Sequence, residues 1–263
     1  MGYFNFVSGA TGGIGKAFCT SLAQRGENLF ITGRSDDKLQ ALKRELQIIN
    51  SNVDVYCFAC DLTSETDRAQ MVRFIDDNAL KFKRIINVAG VDIQKAFCDY
   101  TKEKVLFQIR VNVEATISLT HELLTRRADK CELLTVSSMS GQSPMPYFAL
   151  YSATKALLTN FFTSLHYELK GEGVKVTVVL PGGVPTRPDI IEDIKGQGVW
   201  GKLSSKPASF VAEKSLKAVS KNKIKYIPGG FNKFLNFVMK LAPQSIRLNF
   251  IAKRWKKQTK DAF

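Results

Sequence analysis

The sequence predicts a doubly wound α/β fold, in which helices cover both faces of a mostly parallel sheet. Seven short apolar runs recur along the chain, and segments of helical periodicity separate them. This alternation is typical of parallel sheets, because each connecting helix packs back onto the sheet. The 263 residues are 44% hydrophobic, which is enough to bury the core of one domain.

Each strand is predicted at one of the apolar runs. The predicted strands are residues 3–7, 28–32, 53–59, 84–89, 132–137, 175–180 and 224–228. No internal repeat or low-complexity linker interrupts them. We therefore expect one domain over residues 1–230, followed by a C-terminal segment, residues 231–263, which we call the basic tail.

The basic tail is predicted to form two short amphipathic helices, because apolar residues recur at helical spacing on both sides of Pro243. From Lys214 to Lys260 there are thirteen Lys or Arg and no Asp or Glu, within a formal net charge of +14. Three interpretations stay open for residues 231–260: a solvated cationic face, a peripheral helix on an anionic membrane, or contact with an acidic protein or CoA thioester. No nucleic-acid partner is expected, since no binding motif accompanies the charge.

The chain is expected to be soluble and cytoplasmic, with peripheral membrane attachment as the alternative location. Its first residues contain no basic region, long apolar stretch or cleavage site, and no window of about eighteen apolar residues follows. The five cysteines fit reduced thiols. Cys57 and Cys60 lie in a strand that should point them to opposite faces, so we interpret them as packing residues and expect no metal site.

A glycine-rich loop follows the first predicted strand. Gly9, Gly13 and Gly15 stand in SGATGGIGKAF, directly before a helical segment. Such glycines permit a tight turn and close backbone approach, and the helix N-terminus offers amide donors to a pyrophosphate. The loop predicts a nucleotide-binding site.

Tyr151 and Lys155, in the sequence YSATK, are separated by about one helical turn. On a helix they would share a face and reach the same small molecule. The same spacing also occurs on solvated surface helices. The spacing therefore predicts a functional pair only in combination with the other motifs of the chain.

These glycines, NVAG at 87–90, Asn112, Ser138, YSATK at 151–155 and PGGVPT at 181–186 occur in a characteristic order and spacing. Over residues 3–228 the chain resembles the classical short-chain dehydrogenases/reductases. The resemblance implies a Rossmann fold with a seven-stranded parallel sheet, a nicotinamide dinucleotide cofactor, and interconversion of a ketone or aldehyde and an alcohol. It also implies a homodimer or homotetramer formed through the helices that hold Asn112 and Tyr151.

The resemblance assigns proton transfer to Tyr151, as general acid in reduction and general base in oxidation. A free tyrosine has a pKa near 10, and a cation held nearby lowers it. Lys155 is expected to supply that cation and to hold the ribose hydroxyls of the cofactor.

Two further residues complete the catalytic group that the resemblance implies. Ser138, rather than Ser137 or Ser140, should donate a hydrogen bond to the substrate oxygen and stabilise the charge that develops there. Asn112 should hold a water relay behind Lys155.

The resemblance also implies a set of cofactor contacts along the carboxyl edge of the sheet. These are Gly9, Thr11, Gly13, Ile14, Gly15, Arg34, Asp61, Leu62, Asn87, Ala89, Gly90, Tyr151, Lys155, Pro181, Gly182, Val184 and Thr186. Asp61 also fits a helix cap, a role compatible with binding adenine.

Arg34 favours NADP (NADPH) over NAD. It follows the second strand, where an acid would bind ribose hydroxyls and a cation would bind the extra phosphate. Asp36 and Asp37 come next, but their position is typical of the first turn of a helix.

Residues 187–206 show no clean period and are expected to form a mobile lid. Apolar residues in the surrounding segments predict an apolar or amphipathic carbonyl substrate. They are Met139, Pro144, Met145, Tyr147, Phe148 and Trp200. Acyl thioester, steroid-like and small carbonyl substrates stay open. The alternative function is a dinucleotide-binding scaffold or sensor that acts through the basic tail.

Overall fold

The computed structural model describes residues 2–256, apart from residues 197 and 242 and the side chains of residues 193, 200 and 240. The described chain forms a seven-stranded sheet in which all neighbouring strands are parallel. The strands are β1 Phe4–Ser8, β2 Leu29–Gly33, β3 Val55–Ala59, β4 Phe82–Asn87, β5 Arg127–Val136, β6 Val174–Val179 and β7 Lys225–Tyr226. Their order across the sheet is β3-β2-β1-β4-β5-β6-β7.

Helices connect the strands. They are α1 Gly13–Ala23, α2 Asp36–Ile49, α3 Glu65–Asp77, α4 Lys102–Ile109, α5 Ala115–Leu124, α6 Ala149–Glu168, α7 Pro188–Gly196, α8 Gly198–Ser204, α9 Ala208–Ser220, α10 Gly230–Leu241 and α11 Gln244–Trp255. A π-helical turn, Arg110–Glu114, joins α4 to α5, and 3₁₀ turns span Phe97–Asp99 and Met139–Gln142.

The predicted fold class is confirmed, because one strand of the sheet overlaps each of the seven apolar runs. All residues of β1 and β2 are buried. Strands that are covered on both faces have continuous apolar sequences rather than alternating ones. For this reason the sequence predicts the positions of these strands.

Two apolar clusters hold the layers together. One cluster joins the sheet to α1, α2 and α9, and the other joins it to α3, α5 and α6. Cys57 packs against the first cluster and Cys60 lies in the second, as the strand alternation predicts. Within the described ranges, no group of three or more His, Cys, Asp or Glu is placed to hold a metal ion.

The strand order places the loops that matter at one edge of the sheet. β1 lies between β2 and β4, so the chain leaves β1 in one direction and returns on its other side. In parallel α/β sheets a crevice forms at such a switch point, outside the carboxyl ends of the strands. The loops after β1, β4, β5 and β6 therefore converge there.

The segment 187–206 differs from the expected irregular lid, because most of it is helical, in α7 and α8. Pro188 at the first helical position and Asp189 in the first turn both favour a helix start. Each helix is too short to show a period in the sequence. The segment ends on a hydrogen bond from the Lys206 N–H to the Gly183 carbonyl oxygen, at 3.0 Å.

The basic tail contains the two predicted helices, α10 and α11, and its residues 257–263 lie outside the described residues. Contacts cross the boundary predicted at residue 230. The buried Asn232 donates hydrogen bonds to the carbonyl oxygens of Ser204, at 2.8 Å, and Pro228, at 2.9 Å. Ile251 of α11 is also buried. The tail therefore packs on the domain.

In the part of the chain that the structure describes, no helix combines the length and the apolar character needed to cross a bilayer.

Candidate active site

The glycine loop fits a nucleotide at the first strand-to-helix junction. Gly9 has a φ of +63°, and a Cβ at this position would lie 2.9 Å from the Ala89 Cα. At Gly15 a Cβ would overlap the Gly9 carbonyl oxygen. Helix α1 starts at Gly13 without a side-chain cap, so its first amide groups are available to an anion.

The loop after β6 lies against this glycine loop. A Cβ at Gly13 would overlap the side chain of Thr186, whose hydroxyl donates to the Val184 carbonyl oxygen at 3.3 Å. Val184 and Pro181 are buried. The first and last cofactor segments implied by the sequence are therefore neighbours in space.

Arg34 follows β2 directly and is exposed. Asp36 and Asp37 occupy the first turn of α2, whose N-cap is Ser35, and the Asp36 carboxylate accepts from the Gln40 side chain at 3.2 Å. These acids are thus engaged by the start of the helix, as expected. The guanidinium is the charged group that follows the strand end most closely.

Asp61 does not cap a helix. Its carboxylate accepts from the Thr63 N–H and hydroxyl, at 2.9 and 2.8 Å, while Ser64 is the N-cap of α3. The helix cap offered as a second role for Asp61 is therefore wrong, because the chain makes a turn before α3 begins. Leu62 is buried beside it.

Asn87, at the end of β4, ties the central strand to its neighbours. It is buried, and its amide donates to the hydroxyls of Thr120, at 2.9 Å, and Thr135, at 3.3 Å. These bonds reach α5 and β5. They fix the strand from which the loop 88–92 leaves.

Asn112 lies in the π-helical turn and is fully buried, unlike a typical mid-helix asparagine. Its side chain accepts from the Val91 N–H at 2.7 Å and donates to the Val91 carbonyl oxygen at 2.9 Å and to the Thr154 hydroxyl at 3.1 Å. It therefore joins the loop after β4 to helix α6. π-Helical turns often mark functional sites.

The Lys155 ammonium is buried between these elements. Nζ donates to the Val136 carbonyl oxygen at 3.0 Å and lies 5.7 Å from the centre of the Tyr151 ring. A Cβ at Gly90 would come within 3.1 Å of this Nζ and 3.3 Å of the Asn112 Oδ1. A side chain at position 90 would therefore crowd both groups and require them to shift by a few tenths of an ångström.

Ser138 is the serine that meets the Tyr151 phenol, through a side-chain hydrogen bond. It follows β5 and caps the 3₁₀ turn 139–142. The Ser137 hydroxyl instead donates to the Lys155 carbonyl oxygen at 2.7 Å and is buried. Ser140 meets Ser138 through its backbone N–H.

The electrostatics of the pair differ from the expectation that Lys155 lowers the pKa of Tyr151. Desolvation by the groups packed around the phenol raises the Tyr151 pKa, and the Asp92 carboxylate adds to this, while Ser138 and Arg187 oppose it. Burial also lowers the pKa of Lys155 to about 8. In the protein alone, desolvation dominates both groups.

Asp92 and Arg187 are site residues that sequence reasoning missed. The Arg187 Nη2 contacts the Asp92 Oδ1 at 2.9 Å and an oxygen of Asp189 at 3.0 Å, which joins the loop after β4 to α7. Both lie directly beyond recognised motifs, NVAG and PGGVPT. Opposite charges shortly after the ends of two strands of the same sheet, β4 and β6, were the available clue.

An aromatic stack leads from Tyr151 to the basic tail. The Phe148 ring stacks on Tyr151 at 4.4 Å and on Trp255 of α11 at 5.8 Å, measured between ring centres. Phe148 is buried and adjoins Tyr147, whose φ of +62° is unusual for a side chain of this size. The sequence did not predict that Trp255 lies near Tyr151 and Lys155.

The other expected pocket residues are less uniform. Met139, Met145 and Tyr147 are half-buried, Pro144 is exposed, and the Trp200 side chain lies outside the described residues. Apolar surface therefore borders the Tyr151 phenol on the side of residues 139–148.

The residues present fit a nicotinamide dinucleotide. The glycine loop leaves a cradle that any Cβ would fill, the start of α1 offers amide donors, and Lys155 supplies a buried cation near the tyrosine. These donors suit a pyrophosphate and ribose hydroxyls.

The buried ammonium makes a prediction about stability. Below about pH 8 the folded protein holds Lys155 charged, at a desolvation cost that the variant Lys155→Met lacks. Between there and the usual pKa of 10.5, the folded state has released the proton and the unfolded chain retains it, so folding gains free energy as pH rises. Wild type should gain about 2 kcal/mol over the variant between about pH 7 and about pH 9.5.

Urea unfolding of both proteins at the two pH values measures this change. Groups that do not interact with Lys155 titrate alike in both proteins, so their contribution cancels in the difference. A difference that stays constant with pH would show that Lys155 folds with an ordinary pKa.

The chain is similar to known proteins over most of its length. Sulfoacetaldehyde reductase from Chromohalobacter salexigens is 32% identical over 212 residues, covering 79% of this chain and 83% of that protein. Very-long-chain 3-oxoacyl-CoA reductase from Bos taurus is 31% identical over 217 residues, covering 80% and 67%. The fold matches a solved short-chain dehydrogenase from Sphingobium yanoikuyae in complex with NADPH, with a TM-score of 0.76, 22% identity, and coverage of 99% of this chain and 100% of that one.

A sequence model of the short chain dehydrogenase family matches residues 5–191, well over half of the chain. This range contains the glycine loop, Asn112, Ser138, Tyr151, Lys155 and the loop after β6. The chain therefore belongs to the short-chain dehydrogenase family of oxidoreductases, whose members bind NAD(P).

Proposed function

We propose that the protein is an NADPH-dependent reductase that converts a ketone or aldehyde into an alcohol, with Tyr151 as the proton donor. The convergence of Ser138, Tyr151 and Lys155 beside the glycine loop carries the proposal. A site that only bound a dinucleotide would need no aligned proton donor and hydroxyl. The same groups can run the reverse oxidation.

In the proposed reaction, the bound cofactor supplies hydride to the carbonyl carbon. Tyr151 gives its proton to the carbonyl oxygen as that oxygen gains electrons, which completes the alcohol. Ser138 donates a hydrogen bond to the same oxygen and stabilises its developing charge. Lys155 holds the ribose hydroxyls and assists the phenol, and Asn112 fixes the loop and helix that surround them.

The choice of NADPH rests on Arg34. Its exposed guanidinium follows β2 and suits the 2′-phosphate, while Asp36 and Asp37 belong to the first turn of α2. An NADPH complex exists for a solved protein of this fold, which is consistent with this choice.

The proposed substrate is apolar or amphipathic. Phe148 and Trp255 stack beside Tyr151, and Met139 and Met145 lie in the adjoining segment. One relative is a very-long-chain 3-oxoacyl-CoA reductase and another acts on sulfoacetaldehyde, by their names, so acyl thioesters and small carbonyls are both worth testing.

We also propose that the protein forms a homodimer or homotetramer through α4 and α6. Exposed apolar side chains lie on both helices, Leu106 and Ile109 on α4 and Leu157 and Phe161 on α6. The two helices are in contact, so these side chains belong to one region of the surface. Short-chain dehydrogenases commonly assemble into oligomers.

Changing Leu157 and Phe161 together to Glu should break this assembly, because two charges would enter an apolar interface. Light scattering would then report a smaller mass than for wild type. The control is Ile48→Glu with Ile49→Glu, two exposed apolar residues on α2. A wild type that is monomeric at roughly tens of micromolar would refute the assembly.

Tyr151→Phe should lower turnover with ketones, aldehydes and 3-oxoacyl thioesters by about a hundredfold or more, because it removes the proton donor and little volume. NADPH binding, followed by its fluorescence, should remain. Oxidation of NADPH is the measured rate. Turnover that survives in the variant would exclude the role of Tyr151, and a wild type that binds NADPH yet reduces nothing would favour the scaffold interpretation.

Arg34→Ser should raise the KM for NADPH by about tenfold to a hundredfold and leave the KM for NADH nearly unchanged, because one charge-assisted hydrogen bond to the 2′-phosphate is lost. Arg44→Ser removes the same charge from an exposed position further along α2 and serves as the control. Equal changes with both cofactors would contradict a phosphate contact at Arg34.

A further inference from the structure

Helix α10 turns an apolar stripe away from the protein. Phe234, Phe237, Val238 and Leu241 share one face of the helix, and their exposed fractions are 62%, 62%, 41% and 70%. Amphipathic helices normally bury such a face in the core. A contiguous row of exposed apolar side chains is typical of a surface that meets another apolar phase.

The opposite side of α10 is fixed by polar contacts. Asn232 is 1% exposed and donates to the carbonyl oxygens of Ser204 and Pro228, which hold the helix against α8 and the end of the β7 loop. The helix is therefore anchored with its apolar stripe outward.

Helix α11 repeats this arrangement. Ile246 and Phe250, one turn apart, are 64% and 59% exposed, while Ile251 is buried and Trp255 stacks on Phe148. The Arg247 guanidinium donates to the Met239 carbonyl oxygen at 2.8 Å, which ties α11 to α10. Both helices thus hold the domain by one side and expose apolar residues on another.

The charge of this region is of one sign. The chain from Lys214 to Lys260 has thirteen Lys or Arg and no acid, and Lys233, Lys253 and Lys256 are exposed on or beside the two helices. Aromatic side chains next to cations suit the boundary between the headgroups and acyl chains of an anionic bilayer.

We propose that the exposed faces of α10 and α11 form a peripheral binding surface for anionic phospholipid membranes. A bilayer supplies both things that the surface lacks, an apolar phase for the phenylalanines and negative charge for the lysines. A second copy of the chain would instead bring two cationic faces together, which their mutual repulsion opposes.

The surface lies on the same helices that reach the catalytic pair. Trp255 connects α11 through Phe148 to Tyr151. If the site reduces an apolar carbonyl as proposed above, membrane binding brings the substrate cleft close to the lipid. This consequence rests on the proposed function, whereas the binding itself does not.

The test is sedimentation of the full-length protein with vesicles, without cofactor or substrate. Wild type should bind vesicles of about equal parts phosphatidylcholine and phosphatidylglycerol at low salt, and bind phosphatidylcholine alone far more weakly. Phe234→Ser with Phe237→Ser should weaken binding at least about tenfold, because two apolar side chains no longer insert. Ile48→Ser with Ile49→Ser, exposed on α2, should bind like wild type.

Charge is tested separately. Lys253→Gln with Lys256→Gln should weaken binding by about fivefold for each charge. Lys81→Gln with Lys130→Gln removes the same net charge at exposed positions near the amino ends of β4 and β5, and should have little effect.

Three results would each overturn the proposal. The first is a wild type that does not bind the anionic vesicles at low salt, and the second is a phenylalanine variant that binds them as wild type does. The third is an oligomer that the phenylalanine variant breaks in the absence of vesicles, since the stripe would then be a contact between copies. Because all positions changed are exposed, thermal unfolding should confirm that the variants fold. The vesicle experiments use no substrate, so failure of the reductase assays would not change their interpretation.

Discussion

The burial of the Lys155 ammonium at the carboxyl edge of the sheet is the constraint on which the site depends. Gly90 lies close to this ammonium, where a Cβ would crowd it, and the Val136 carbonyl oxygen accepts a hydrogen bond from it. The Ser137 hydroxyl donates a hydrogen bond to the backbone carbonyl oxygen of Lys155. The desolvation cost appears as a lowered pKa, so the fold spends stability to keep a cation beside Tyr151. Such a cost is typical of sites that are organised before the substrate binds.

The groups around this cation also connect segments that are distant in the sequence. Asn112 joins the loop after β4 to α6, and the contact between Asp92 and Arg187 joins that loop to α7. The charges of Asp92 and Arg187 act on Tyr151 in opposite directions. The start of α7 is therefore linked, through charge, to Tyr151.

The C-terminal helices link the interior chemistry to the outer surface. Trp255 extends the aromatic stack from Tyr151, while the other side of the same two helices exposes phenylalanines among lysines. The composition of the two helices does not by itself say which residues face the domain and which face outward. Asn232 helps to fix the orientation of α10, because its amide must find hydrogen-bond acceptors when it is buried.

The sequence by itself determined the strands, their order along the chain, the glycine loop and the one-turn spacing of Tyr151 and Lys155. These features depend on local periodicity and on the backbone freedom of glycine, which a sequence states directly. Only the tertiary structure decided that Asp92 meets Arg187, that Trp255 reaches Phe148, that desolvation raises the Tyr151 pKa, and which face of α10 is exposed. Those outcomes depend on packing between segments that are distant in the sequence. A periodic pattern identifies the apolar face of a helix, but it does not identify what packs against that face.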